Sequence, residues 1–281
     1  MTGFLLHLAA PLQSWGEHSA FTHRDTATHP TRSGLIGLLA SALGIPRAEA
    51  VADGADHKAL FARLTQVSFT VRVDRPGTVI GDFHTVGGGY PQHLTVPTAK
   101  GGRRSPDAAT IVSTRYYLSD AVFTVAADFT DGGLARRCAD AVAAPRWPLH
   151  LGRRSCPAGA LLLLATGLDD PVAELSRVPL ARRPPLTTPP SGTVNVRFVS
   201  DQPLPADPRP ADSVAPDSPS TPVVVTVLND EPVRLTARDR VHRARSAHST
   251  TRPLPVDLCK GYGTTYLDAI ANHFPPRGVT S

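Results

Sequence analysis

The sequence lacks the marks of a secreted, membrane or thiolate-metal protein. Its three cysteines, Cys138, Cys156 and Cys259, are odd in number and far apart, and no Cys-x-x-Cys pair occurs. They therefore support neither a disulfide framework nor a thiolate zinc site. No apolar run approaches the ~20 residues of a membrane-spanning helix, and the apolar start of the chain has no basic segment typical of a secretion signal. We expect a soluble, cytoplasmic protein with no membrane partner.

Lysine is also scarce, so arginine carries the basic charge. Only Lys58, Lys100 and Lys260 are lysines among 29 basic residues, and the net charge is +5. Arginine forms bidentate contacts with phosphates and stacks on bases. A GC-rich coding bias raises Arg, Ala and Pro together, so the charge is compatible with a nucleic-acid partner without establishing one. A hydrophobic content of 41% supports a packed core.

Most enzyme signatures are absent. The sequence has no Gly-x-Ser-x-Gly, no Walker A motif and no complete Gly-x-Gly-x-x-Gly. His18, His23 and His29 are spaced like metal ligands, but they have no cysteine nearby and flank a loop. We therefore expect no catalytic residues, no metal and no cofactor.

The order of predicted elements indicates an α+β protein with a ferredoxin-like core. Buried or half-buried strands are expected at residues 4–9, 67–73, 121–127 and 160–166. Helices are expected between Pro30 and Gly44, over residues 56–64, and after a capping Asp131. This is the β-α-β-β-α-β order that RNA-recognition domains also use.

Two further segments interrupt or extend this core. Residues 81–118 are punctuated by Gly and Pro and carry basic residues in the middle, which predicts an inserted hairpin with a mobile basic tip. Residues 1–168 then form the core domain, and residues 169–281 form a C-terminal extension. Residues 201–222 hold seven Pro and four Asp, which predicts a disordered linker. Beyond it we expect two strands, over residues 223–228 and 233–236, that pair with each other, and a terminal helix over residues 264–274.

Four segments stand out together in order and spacing. They are residues 11–16 (PLQSWG), 30–37 (PTRSGLIG), 81–86 (GDFHTV) and 151–157 (LGRRSCP). As a set they resemble the Cas-five family of CRISPR-associated proteins, part of the RAMP superfamily, in the form found in the type I-E complex Cascade. The resemblance runs from about residue 4 to residue 165. It implies a ferredoxin-like domain with a thumb hairpin.

The resemblance also implies a function. Members of this type are non-catalytic ribonucleoprotein subunits that grip the 5′ handle of the CRISPR RNA and cap the backbone filament of Cascade in antiviral defence. The implied partners are CRISPR RNA, the backbone and large subunits of Cascade, and target DNA through the assembled complex.

The residues favour three kinds of RNA contact. Arg32, with the hydroxyls of its neighbours, surrounds a predicted helix N-terminus, which is a phosphate site. Gly152 and two arginines after it form a loop that can hold consecutive phosphates. A basic hairpin tip and nearby aromatic rings can contact the RNA backbone and stack on bases. The candidate RNA-binding residues are Trp15, Thr31, Arg32, Ser33, Gly34, His84, Lys100, Arg103, Arg104, Arg115, Tyr116, Gly152, Arg153 and Arg154.

Structural interpretations of the same residues stay open. The segment at residues 30–37 is equally typical of a helix cap, and Trp15 is typical of packing. Strand alternation turns either Tyr116 or Tyr117 inward. A metal-independent endoribonuclease is the alternative function, as in relatives that cut precursor RNA, with His84, Tyr90, Tyr116 and Lys100 as the groups that general acid–base chemistry needs.

Overall fold

The protein has a mixed α+β architecture with two sheets and few helices. The computed structural model describes residues 3–16, 19–20, 22–50, 52, 56–88, 90–98, 100–189, 191–205, 223–235 and 240–275. The strands are β1 Gly3–Ala9, β2 Leu12–Gln13, β3 Ser19–Ala20, β4 His23–Arg24, β5 Ser68–Arg75, β6 Thr78–Val86, β7 Ile111–Ser119, β8 Val122–Asp128, β9 Leu163–Leu168, β10 Thr193–Ser200, β11 Val224–Leu235 and β12 Arg240–Pro255. The helices are α1 Arg32–Ala42, α2 Asp56–Leu64, α3 Gly132–Ala143, α4 Pro171–Glu174 and α5 Gly263–His273.

The larger sheet has seven strands in the order β11-β12-β10-β5-β8-β1-β9, and every neighbouring pair is antiparallel. Its middle strands are buried on both faces. In β1, Phe4 and Leu6 pack on the face that carries α1, α2 and α3, while Leu5 packs on the face that carries α4 and α5. Because successive side chains point to opposite faces, β1 reads as a continuous apolar run.

Helices α1 and α3 begin where the sequence provides side-chain caps. Thr31 accepts a hydrogen bond from the backbone of Gly34 at the start of α1. Asp131 accepts from Gly133 and Leu134 at the start of α3, as predicted. None of the helices in the described ranges is long and apolar enough to cross a membrane.

Strands β6 and β7 form a long hairpin that belongs to the second, smaller sheet, in which β7 also contacts β2 and β4. The pairing runs from Thr78 opposite Ser119 to Val86 opposite Ile111. The ladder therefore starts three residues before the predicted hairpin, and residues 87–110 form its far end. Short 3-10 turns at Gln92–Leu94 and Pro106–Ala108 lie in that end.

The strands beyond residue 168 extend the main sheet. Strand β10 pairs with β5, and β12 pairs with β10. The expectation that residues 223–228 and 233–236 pair with each other was wrong. Residues 224–235 form one strand, β11, that pairs with the Arg-rich β12, with register shifts on both sides of residues 231–232. Residues 206–222, most of the predicted linker, and residue 236 lie outside the described part of the chain.

A buried ion pair fastens β5 to the segment after α4. Arg72 and Asp74 are both fully buried and form a bidentate pair, with N–O distances of 2.6 and 2.9 Å. The remaining guanidinium hydrogens reach the carbonyls of Leu175, Val178 and Pro179. The pair thus links the sheet to a loop that has no regular structure of its own.

Candidate nucleic-acid interface

A cleft of about 470 Å³ lies beside α1 and brings together three of the four motif segments. These segments are up to 140 residues apart in sequence. The cleft is lined by Ser14, Trp15, Gly16, Thr31, Ser33, Gly34, Gly37, Ala40, Ser41, Ile45, Arg47, Ala50, Phe61, Trp147, Gly152, Arg153, Pro232 and His242. Of the predicted site residues, Trp15, Thr31, Ser33, Gly34, Gly152 and Arg153 meet here.

Small residues on α1 form one wall of the cleft. Gly34 lies against Trp15, because a Cβ at residue 34 would come within 2.9 Å of the indole ring. Trp15 is only 1% exposed, and its Nε1–H donates to Gln13 at 3.1 Å. The indole is therefore a packing side chain in this structure, which is the structural alternative that the sequence left open, and not an exposed stacking surface. Gly37 lies one turn further along α1 and is open to the cleft, with nothing within 4 Å of its missing Cβ.

The N-terminus of α1 is already occupied by the chain's own carboxylate. The backbone N–H of Arg32 donates to Asp230 at 2.6 Å, and Thr31 is used as the cap. The guanidinium of Arg32 is buried and contacts Glu231 at 2.7 Å, Asp201, and two backbone carbonyls. The predicted phosphate contact of Arg32 is therefore wrong for this structure, since the side chain points inward to acids. Ser33, half-buried, remains on the cleft.

Arg32 belongs to a five-residue charge network. Arg245 on β12 contacts Asp230 at 2.6 and 3.0 Å and Asp201 at 2.9 Å. Burial raises the pKa of Asp201, while Arg32 and Arg245 act in the opposite direction. The network joins α1, β11 and β12, so the C-terminal hairpin and the first helix are held as one body.

The loop at residues 151–157 forms the opposite wall. Arg153 is half-buried and donates to the carbonyls of Tyr116, at 3.2 Å, and Arg24, at 2.8 Å. Its guanidinium also stacks over the Tyr117 ring at 4.9 Å. Arg154 is exposed and makes no hydrogen bond or ion pair to the part of the chain that the structure describes. Of the two arginines, the structure leaves Arg154 freer to meet a ligand.

Replacing Gly152 by alanine should disturb this loop. Gly152 has φ +89°, and an added Cβ would lie 1.7 Å from the carbonyl oxygen of Ser14. The backbone of the loop must then move away from residues 11–16. Gly101 is the matched control, because its φ is +86° and nothing lies within 4 Å of its missing Cβ. We expect Gly101→Ala to lower stability by about 1–2 kcal/mol and Gly152→Ala by clearly more, measured by thermal unfolding. Equal losses of stability in the two variants would show that the close contact between residue 152 and Ser14 does not contribute to the effect.

The remaining motif segment, residues 81–86, meets the same loop through Tyr117. Its hydroxyl lies 3.4 Å from Nε2 of His84 and 3.4 Å from the hydroxyl of Ser155. His84 also lies 2.5 Å from the carboxylate of Asp82. Tyr117 is 2% exposed, so it is the inward tyrosine of the pair that strand alternation left open. Tyr116 is the half-buried one, and its carbonyl accepts from Ser14.

The remaining predicted contacts lie along the hairpin. Arg115 is half-buried in β7, and its Nε–H lies 3.3 Å from Ser113. Lys100, Arg103 and Arg104 are exposed at the far end. Arg103 donates to the Thr95 carbonyl at 2.5 Å and Arg104 to that of Ala108 at 3.3 Å, so both arginines also hold the turn together.

Twelve of the eighteen residues that line the cleft were not among the predicted contacts, and Ser41, Arg47, Trp147 and His242 are four of them. Ser41 follows Gly37 at helical spacing, so the pattern of small residues on α1 contained a signal for it. Arg47 follows the helix after a short turn. Trp147, 39% exposed, comes from the segment that follows α3, and His242 comes from β12. No local pattern places these two beside α1, because only the tertiary fold brings them there.

The comparisons with known proteins agree with this architecture. The profile of the family described as "CRISPR-associated protein (Cas_Cas5)" matches residues 3–207. The "CRISPR system Cascade subunit CasD" of Escherichia coli (strain K12) is 38% identical over 172 residues, which cover 58% of this chain and 70% of that protein.

Two solved structures are also similar. One, described as a "CRISPR RNA-guided surveillance complex", contains a chain with 41% identity and a TM-score of 0.76, over 96% of this chain and 98% of that one. The other, a "Crystal structure of Cas protein", has 24% identity and a TM-score of 0.53 over 92% and 98%, and shows a shared fold only. The family profile spans well over half of the chain and falls on the segments that line the cleft, so the chain belongs to the Cas_Cas5 family of CRISPR-associated proteins.

Proposed function

We propose that this protein is a non-catalytic, RNA-binding subunit of a Cascade surveillance complex, which grips the 5′ handle of CRISPR RNA. The observation that carries the proposal is the convergence of residues 11–16, 30–37 and 151–157 on one cleft. The similar proteins are a Cascade subunit and a chain of an RNA-guided surveillance complex, which supports the same role. The backbone and large subunits of such a complex are then its protein partners.

The chemistry of the cleft suits a bent single strand. Its α1 wall is open at Gly37, so a base or a sugar can approach the helix closely there. Arg153 is fixed by carbonyls and by Tyr117, which holds its charge in place at the edge. Exposed Arg154 is the side chain that we expect to meet a phosphate. Arg115 and Tyr116 on β7, His84, and the basic tip of the hairpin would extend this surface.

We also infer a ferredoxin-like core for residues 1–168. The chain order β1, α1, β5, β8, α3, β9 and the sheet order β5-β8-β1-β9 support it. The β6–β7 hairpin is then the thumb, inserted in the chain between β5 and β8, the second and third strands of that core. In this interpretation residues 169–281 are an extension that continues the sheet through β10, β12 and β11.

Cleavage of RNA is disfavoured as the main activity. His84 has an acid beside it and a buried tyrosine hydroxyl at 3.4 Å, an arrangement that holds the ring in place on the hairpin. An endoribonuclease would need a base and an acid on opposite sides of a bound phosphate. Repeat RNA incubated with the pure protein in chelator should therefore stay intact. A discrete cut that disappears in His84→Ala would establish the alternative.

Alanine at Arg154 tests the binding surface directly. We expect Arg154→Ala to weaken the binding of handle RNA several-fold and to lower the slope of log affinity against log salt by about 0.7, which is one phosphate contact on a single strand. Arg136→Ala removes the same charge from an exposed position on α3 and should change neither quantity. Fluorescence anisotropy at four salt concentrations gives both numbers. Identical slopes of log affinity against log salt for the two variants would show that the loop at residues 151–157 does not contact the RNA.

A further inference from the structure

A second groove, also about 470 Å³, crosses the open end of the main sheet away from the cleft. It runs over three strands, with Val224 opposite Ser249 and Ser249 opposite Val199. At about 4.8 Å per strand, the groove spans about 10 Å from β11 to β10. The segment at residues 26–29 closes its other side.

Arg197 is the single cationic side chain among the residues that line this groove. It is half-buried, and its described contact is with the Thr28 hydroxyl at 3.4 Å. Among the residues that the structure describes, no Asp or Glu lines the groove. Burial lowers the pKa of Arg197. Burial also lowers the pKa of His29, which favours the neutral form of the ring, and its Nδ1 lies 3.0 Å from the Pro30 carbonyl oxygen. A partly buried guanidinium that has no acid beside it would be stabilised by pairing with an incoming carboxylate.

The surroundings favour a protein carboxylate over a nucleic acid. A nucleic-acid backbone repeats its charge and is bound by several cations, whereas this groove offers one. The edge strand β11 exposes valines on both of its faces: Val224, 55% exposed, lies in the groove, while Val225 and Val227, 56% and 66% exposed, lie on the opposite face. Natural edge strands usually carry charges that prevent pairing, and residues 223–228 carry none. Exposed apolar surface of this kind marks protein contacts.

We propose that this groove binds an extended acidic segment of a partner protein. An Asp or Glu carboxylate of that segment pairs with Arg197, and apolar side chains beside it cover Val224 and the neighbouring floor of the groove. The proposal rests on the proposed function only for the source of the partner, which is another protein subunit of the assembled complex.

The test uses the full chain in a complex reconstituted from purified subunits and CRISPR RNA. The photoreactive residue p-benzoylphenylalanine replaces Val224 in one preparation and Val225 in another. Val224 and Val225 are 55% and 56% exposed, and they point to opposite faces of β11. We expect the residue-224 probe to crosslink to a segment of another subunit with Asp or Glu nearby. Arg197→Ala should cut that yield at least fivefold, while Arg197→Lys retains most of it. The yield from residue 225 should not depend on Arg197.

The outcomes separate this inference from the proposed function. A complex that fails to bind CRISPR RNA contradicts the proposed function, whatever the crosslinks show. An RNA-loaded complex whose residue-224 probe reacts with RNA, with this chain or with nothing overturns the groove proposal alone. A yield that is the same in Arg197→Ala, Arg197→Lys and the parent also overturns it. The lysine variant keeps the charge and the aliphatic stem, so it decides the matter even where alanine lowers the melting temperature.

Discussion

Replacing Gly37 by glutamate is expected to lower the affinity for CRISPR RNA about tenfold to a hundredfold without destabilising the fold. Gly37 is exposed on the cleft side of α1, and nothing lies within 4 Å of its missing Cβ. A carboxylate there fills the space and repels a phosphate. Two like charges about 6–12 Å apart near a protein surface repel by about 1.4–2.8 kcal/mol, and each 1.4 kcal/mol is a factor of ten in affinity. Anisotropy measures the RNA affinity and thermal unfolding the stability.

Two controls separate charge from shape in this experiment. Gly37→Ala should keep RNA binding and raise stability by about 0.5–1 kcal/mol, since alanine is the better helix former. Ala271→Glu makes the same charge change on an exposed position of α5 and should leave affinity unchanged. If Gly37→Glu binds RNA as tightly as Ala271→Glu does, the cleft beside α1 is not the RNA site.

The largest effect on stability is expected from Arg72→Met. The substitution leaves the Asp74 carboxylate fully buried without its cation and deprives three carbonyls of their donor. Breaking a buried ion pair in this way lowers the free energy of unfolding by about 3–5 kcal/mol, a large part of the 5–15 kcal/mol that is typical of a domain. Urea unfolding should show a much lower midpoint.

The comparison variants show whether the unpaired charge is the cause. Arg63→Met breaks an ion pair with Asp131 that is about half exposed, where solvent screens the charges, and should lower stability by less than about 1 kcal/mol. Combining Arg72→Met with Asp74→Leu removes both buried charges and should recover part of the loss. A double variant less stable than Arg72→Met would show that the loss comes from packing and not from the stranded carboxylate.

The strands and helices of the core could be predicted from the sequence because local sequence patterns agree with the observed elements. Each of these patterns lies within a short stretch of sequence. They are the alternation in β5, the Thr31 and Asp131 caps, and the four-residue spacing of apolar side chains in α3. The set of motif segments also led to the family, and three of those segments meet in the cleft.

The roles of single side chains depended on distant residues that no local pattern reveals. Arg32 stands at a helix start, where an anion is expected, but the anion is supplied by Asp230, 198 residues away. Trp15 needs Gly34 beside it to be recognised as buried. The register shifts in β11 place its acids toward α1, whereas the sequence suggested two separate strands there.

The contact between Asp230 and the first N–H of α1 also limits how this protein can be divided. A chain that ends at residue 207, where the family match ends, keeps Asp201 but loses Asp230, Glu231 and Arg245. Arg32 would then keep one of the two acids that contact its guanidinium, and the first helix would lose its charged acceptor. A recombination between relatives that exchanged the C-terminal segment alone would therefore replace the acids that contact Arg32 and the start of α1 while leaving Arg32 itself unchanged.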